Sequence, residues 1–191
     1  MNKILNPIEY YSEKTLLKAN LIIFIIGTGC AILLRGWFDH TFHLAFRTNV
    51  APFSTFLENV FSILLIAGAF FATGKIINKK TRWIDSLNLA MYIRIPFYIM
   101  VLSNITGTFS SLTPAIEGDN RISVQLPTNK IDYVILIVFS LISLLVVILQ
   151  FVIIYKGFRT LANAKKITDY LILAAFFIIT MIISSIFFKY F

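Results

Sequence analysis

Charge is what this chain has least of. Only 14% of its 191 residues are charged, and nine Asp and Glu stand against 17 Lys and Arg. Soluble globular domains run at about a quarter charged, so an ordinary water-facing surface is excluded. One cysteine, Cys30, rules out an internal disulfide and any multi-cysteine metal site. Eight glycines and five prolines are too few for a fibrous or low-complexity chain. What fills the space is apolar: 58% hydrophobic residues, 19 of them Phe, and a mean hydropathy of +0.84. A net charge of +8 is compatible with nucleic-acid binding. In a membrane protein it follows instead from basic loops facing the cytoplasm and its anionic lipids, and no nucleic-acid partner is expected.

Five apolar stretches carry that hydropathy, at about 17–34, 53–73, 84–105, 131–155 and 170–188. Each approaches the roughly 20 residues a helix needs to cross about 30 Å of hydrocarbon. The expected fold is all-α, a polytopic bundle of five transmembrane helices. Residues 1–18 form a cytoplasmic head and 19–191 the transmembrane domain. Trp37, Trp83, Tyr133, Tyr155, Tyr170 and Tyr190 lie near span ends, where interfacial aromatics belong.

Lys and Arg in the loops set the orientation. Lys3, Lys14, Lys18, Lys75, Lys79, Lys80, Arg82, Lys156, Arg159, Lys165 and Lys166 fall on one side; Arg35, Arg47, Arg121, Lys130 and Lys189 fall on the other. The positive-inside rule makes the first side cytoplasmic, so five spans put the N-terminus inside and the C-terminus outside a plasma (inner) membrane. The first run is not read as a removable signal, since no A-x-A-like site follows Leu34. Gly27-Thr28-Gly29-Cys30 departs from a lipoprotein site by its first glycine, and Cys30 is read as a small residue between helices.

Local signals refine the picture. Asn6-Pro7-Ile8-Glu9 predicts a short helix, with Asn at the cap, Pro first inside, and Glu reaching back to the Asn6 N–H. That helix either leads into the first span or lies on the membrane surface. Gly27-x-x-x-Ala31 and Gly68-x-x-x-Ala72 predict close helix approach. The turns after Gly74 and Gly157 echo each other: a glycine ending a helix, two lysines, then an Asp (Asp85, Asp169) at the next helix start. Convergent turn chemistry and a duplicated hairpin both account for this. The outer loop around 106–130, with Glu117 and Asp119, is read as turns.

Polar residues within spans mark the candidate site. Glu58 and Asn59 lie in span two, Asp85, Asn88, Arg94 and Pro96 in span three, and Gln150 in span four. A charge at bilayer depth costs about 2.5–3.5 kcal/mol on insertion scales, so each needs a reason. Glu58 and Arg94 can neutralise each other as a structural pair, serve a transport or proton path, or snorkel separately. Pro96 frees the carbonyl of Tyr92 and predicts a kink. Asp85, Asn88 and Asn104 either bond neighbouring helices or line a cavity, and Gln150 is read as an interhelical hydrogen bonder. Asp39-His40-x-x-His43 offers three metal-ligand types, but a zinc site usually needs a fourth and the loop has no cysteine. Solvated histidines are expected there, with no metal or cofactor. No nucleophile elbow, phosphate loop or zinc-protease motif is present, so no enzymatic activity is expected.

Two stretches resemble a known family: Lys80-Thr81-Arg82-Trp83-Ile84-Asp85-Ser86-Leu87-Asn88 through Arg94-Ile95-Pro96, and Tyr155-Lys156-Gly157-Phe158-Arg159-Thr160-Leu161-Ala162-Asn163. With five spans and a polar third one, the chain resembles the bacterial branch of the Yip1 family of small membrane proteins. The resemblance implies a membrane component without family catalytic residues. Eukaryotic members of that family act in membrane traffic and Rab GTPase interaction through a long N-terminal region, which the 18-residue head does not match. The expected function is a non-enzymatic organiser of membrane partners or lipid, in contact with the bilayer and with a membrane-protein partner or a second copy. The alternative is a small transporter or channel subunit using the polar third span.

Overall fold

The computed structural model describes residues 2–47, 51–109 and 130–188. Five helices are long and apolar enough to cross a membrane, which makes this an all-α, multi-pass membrane protein. The loop expected over 106–130 falls, for residues 110–129 with Glu117 and Asp119, outside the described residues.

The head forms two short helices, α1 (Asn2–Leu5) and α2 (Pro7–Tyr10). Pro7 starts α2, where its missing N–H costs nothing. Asn6 does not cap that helix with its side chain. Its amide instead donates to Glu9 Oε2 at 2.6 Å and to Thr160 Oγ1 at 2.8 Å, which ties the head to the fourth span. The first span, α3 (Glu13–Leu33), starts at Ser12, whose hydroxyl accepts from Thr15 N–H. It stops where Arg35 takes a left-handed φ of 59°.

The chain then departs from the sequence reading. Residues expected in a solvated outer loop form a β-hairpin, β1 (Gly36–His40) and β2 (His43–Phe46), with His40 opposite His43 and Thr41-Phe42 at the tip. Phe38 and Thr41 are fully buried. The hairpin packs against the first, second and fifth spans rather than standing above them. Its strands bond each other, and Gly36, Phe38, Thr41 and Phe46 are buried in protein, in keeping with the condition under which non-helical backbone survives at membrane depth.

The second span, α4 (Pro52–Ile77), opens with Pro52 and sits centrally, against the third and fifth spans. The third is broken into α5 (Trp83–Tyr92), α6 (Ile95–Val101) and a 3-10 turn at Leu102–Thr106. The fourth, α7, runs Lys130–Ala162 and the fifth, α8, Ile167–Phe188. Asn163, at φ 53°, ends α7, as asparagine tolerates that left-handed position. Phe70 of the second span lies between Phe158 and Phe177, joining spans two, four and five in one core.

Gly74 and Gly157 do not end helices. α4 and α7 run on past them, and each glycine sits where a side chain would collide, Gly74 with Thr81 and Leu161, Gly157 with Leu89. They allow close packing among spans two, three and four. Gly27 likewise lies against the ring of Tyr98, whereas Gly68 faces open space and permits no special approach.

Candidate functional site

The break in the third span begins with Pro96. It has no N–H to give Tyr92 O, and the ladder tightens around it: Arg94 N–H bonds Met91 O and Phe97 N–H bonds Arg94 O. Carbonyls left open there need donors. Gln150 of the fourth span supplies one, donating Nε2–H to Ile93 O at 3.3 Å.

At the break Arg94 turns into the bundle and is fully buried. Its Nε and Nη2 donate to Asn59 Oδ1 at 3.2 and 3.0 Å, and its Nη1 donates to Thr41 O at the hairpin tip at 2.8 Å. The guanidinium carbon lies 4.7 Å from the Phe38 ring centre and 5.2 Å from that of Phe97. Charge-assisted hydrogen bonds contribute about 1.5–3 kcal/mol each, and aromatic faces add to them. At those values three such bonds exceed a burial cost of about 2.5–3.5 kcal/mol, and at the bilayer mean of about 0.6 kcal/mol per bond they offset about half of it before the aromatic faces are counted. Among the described residues, the site therefore holds its cation without a carboxylate.

Glu58 is not that carboxylate. It is buried at 2% exposure, yet Arg94 bonds its neighbour Asn59 and makes no ion pair with Glu58. Adjacent helix positions point about 100° apart, so only one of the two can face the third span. Asn59 uses its other end as well. Its amide donates to Thr28 Oγ1 at 2.7 Å on the first span and to Tyr98 OH at 2.9 Å on the third. Tyr98 stacks edge-on against Phe38. From the hairpin tip, Thr41 reaches Thr180 O of the fifth span at 3.5 Å, the long limit for a hydrogen bond, and Phe42 packs edge-on against Phe177. One node thus joins the hairpin to the first, second, third and fifth spans, and Gln150 brings the fourth to the break beside it.

Asp85 and Asn88 belong elsewhere. Asn20 of the first span donates to the backbone carbonyl and side-chain oxygen of Asn88 at 3.0 and 3.3 Å, and Asn88 donates to Glu13 O. Asp85 accepts from Arg82 Nε and Nη2, while Arg82 Nη1 meets Glu13 Oε2 at 2.9 Å. At the opposite end of the third span Asn104 donates to Leu34 O. The polar stripe of this span is therefore spent on successive helix contacts. Thr28, Thr41 and Tyr98 were missed from sequence, because a lone hydroxyl in an apolar run carries little signal against charges nearby.

His43 is exposed on β2; among the described residues no group of three His, Cys, Asp or Glu is placed to hold a metal. Comparison with known protein families, curated proteins and solved structures finds no match to this chain.

Proposed function

We propose that the chain is a Yip1-like, non-enzymatic membrane protein that organises protein or lipid partners in a bacterial plasma membrane. The observation that carries this reading is an asymmetry. Only 17% of the apolar window is buried in each of spans four and five, against 56% in span three. Arg94 is bonded to Asn59 and Thr41 and sealed from solvent, so the surface left for partners is apolar, and it is widest on the outside of those two helices. Such faces suit lipid or another transmembrane helix.

One end of the bundle gathers α1, α2, the 78–82 turn and the 163–166 turn, with Arg82 bonded to Glu13 and Asn6 to Thr160. Eleven of the Lys and Arg residues belong to these segments and the span ends beside them, which supports a cytoplasmic N-terminus and an outside C-terminus. Extraction of the chain with its surrounding lipid should recover a reproducible protein or lipid partner. A solitary chain that carries solute across reconstituted vesicles refutes the reading.

A transporter or channel subunit is the second reading, favoured by one observation: a broken span and a hairpin meet at mid-bundle, where carriers place their sites. It requires flux in vesicles that Arg94→Ala or Glu58→Gln abolishes.

A further inference from the structure

The end of the fourth span outruns the bilayer core. α7 has 33 residues, about 50 Å of helix for about 30 Å of hydrocarbon. Tyr155 stacks on Tyr170 of the fifth span with ring centres 4.9 Å apart, an aromatic pair of the kind that marks the interface. Beyond it α7 continues about 10 Å to Ala162, and Lys156, Arg159 and Thr160 follow Tyr155 by about 1.5, 6 and 7.5 Å of helix rise, which places them among the headgroups.

The head folds over this projection. α2 packs beside α7, the Asn6 amide bonds Thr160, and Tyr92 OH donates to Ile4 O to fix α1. Ile4, Tyr10 and Tyr11 stay exposed, as residues lying in an interface do. Between head and helix is a half-open cavity of about 610 Å³ lined by Asn6, Glu9, Lys156, Arg159, Thr160 and Asn163, with Tyr10 at its edge. Two cations against one carboxylate leave one net positive charge. Glu9 is already held, since the Asn6 amide donates to its Oε2 at 2.6 Å.

We propose that this cavity holds the headgroup of an anionic glycerophospholipid. Lys156 and Arg159 bind the phosphodiester, whose single negative charge matches the net charge of the lining, and Glu9 and Asn163 take the hydroxyls beyond it. Basic pockets between helices at this depth are where acidic lipid headgroups bind. A free phosphate offers the same chemistry, but the membrane supplies its own phosphodiesters at this depth in far greater local concentration. The proposal deepens the organiser reading above and rests on it for the choice of lipid as partner.

The whole chain, reconstituted with equal parts phosphatidylglycerol, phosphatidylethanolamine and phosphatidylcholine, is tested by native mass spectrometry for the lipid it retains. Phosphatidylglycerol should be retained in preference. Lys156→Gln with Arg159→Gln should lower its retention about tenfold or more, two surface cations each being worth several-fold. Arg159→Gln alone, at an exposed position that leaves the fold intact, should give about a threefold fall. Lys165→Gln with Lys166→Gln removes the same charge at the same end, outside the cavity, and should change retention by less than about twofold. Equal losses in the two double variants, equal retention of the three lipids, or displacement by free glycerol 1-phosphate would overturn the site. Loss of lipid preference without solute flux sinks this site and spares the organiser reading. Flux with lipid preference intact does the reverse.

Discussion

Replacing Asn59 by leucine keeps the side chain's approximate size and removes every hydrogen bond it makes. Two of those are neutral bonds, to Thr28 and Tyr98, and two come from the Arg94 guanidinium. At soluble-protein values, about 1 kcal/mol for each neutral bond and 1.5–3 for each of the two charged ones, the ceiling is about 5–8 kcal/mol. Inside a membrane the partly unfolded chain finds other partners, and the mean falls to about 0.6 kcal/mol per bond, which sets a floor near 2. A loss of about 3 kcal/mol is expected, because of the three guanidinium hydrogen bonds only that to Thr41 O is left beside the Phe38 and Phe97 rings. Asn59→Asp separates chemistry from size. A carboxylate still accepts from Arg94, and the hydroxyls of Thr28 and Tyr98 can turn to donate to it, so stability should stay within about 1 kcal/mol of the parent. The assay is reversible unfolding by SDS in mixed micelles, followed through the emission of Trp37 and Trp83. A leucine variant as stable as the parent, or an aspartate variant as damaged as the leucine one, refutes the node as the element that joins the spans.

Three further outcomes follow from the packing. Gly27→Ala drives a methyl into the Tyr98 ring and should cost about 1–3 kcal/mol, whereas Gly68→Ala meets nothing within 4 Å and should be neutral in the same titration. With Cys30 replaced by alanine, Thr41→Cys at the buried hairpin tip should resist a membrane-impermeant maleimide in intact cells, while Arg47→Cys at the exposed hairpin base should react; labelling of both returns the hairpin to the solvated loop read from sequence. Reporters fused to the two ends should fall in opposite compartments, the first in the cytoplasm, and reporters sharing a compartment exclude five crossings.

The spans were legible because hydrocarbon is an undemanding solvent to read: it asks only for length and an absence of charge. The expected 53–73 became Pro52–Ile77, with the same proline at its start, and 84–105 lies within Trp83–Thr106. The break in span three was legible from Pro96, and Gln150 from its chemistry. The hairpin was not. Gly36-Trp37-Phe38-Asp39-His40 mixes charge and aromatics in a way that resembles an interfacial loop, and nothing local says that Phe38 will be covered by Tyr98 and Arg94. The partners of Arg94 were not legible for a related reason. Pairing with Glu58 was one of three outcomes left open by the sequence, whereas the fold satisfies the cation with geometry, through one amide oxygen and one main-chain carbonyl.

The distribution of side chains argues for lipid as the solvent independently of helix length. Arg94 and Asn59 are 0% exposed and Glu58 2%, while Ile25, Leu145 and Phe151 are about two-thirds exposed. In water each large apolar side chain left outside forfeits about 1.5–3 kcal/mol, and the outer faces of spans four and five carry many of them, so such a chain would not stay dispersed. In a bilayer the sign reverses: exposed leucines cost nothing, and polar groups must find one another. The same logic orders assembly. The hairpin lies between the first and second spans in sequence, yet its tip touches Thr180 and Phe177 of the fifth. Until that last span is in place, the tip lacks the wall that seals it and Arg94 lacks a dry surrounding. The node is thus completed last, although five of its residues, Thr28, Thr41, Asn59, Arg94 and Tyr98, are made first.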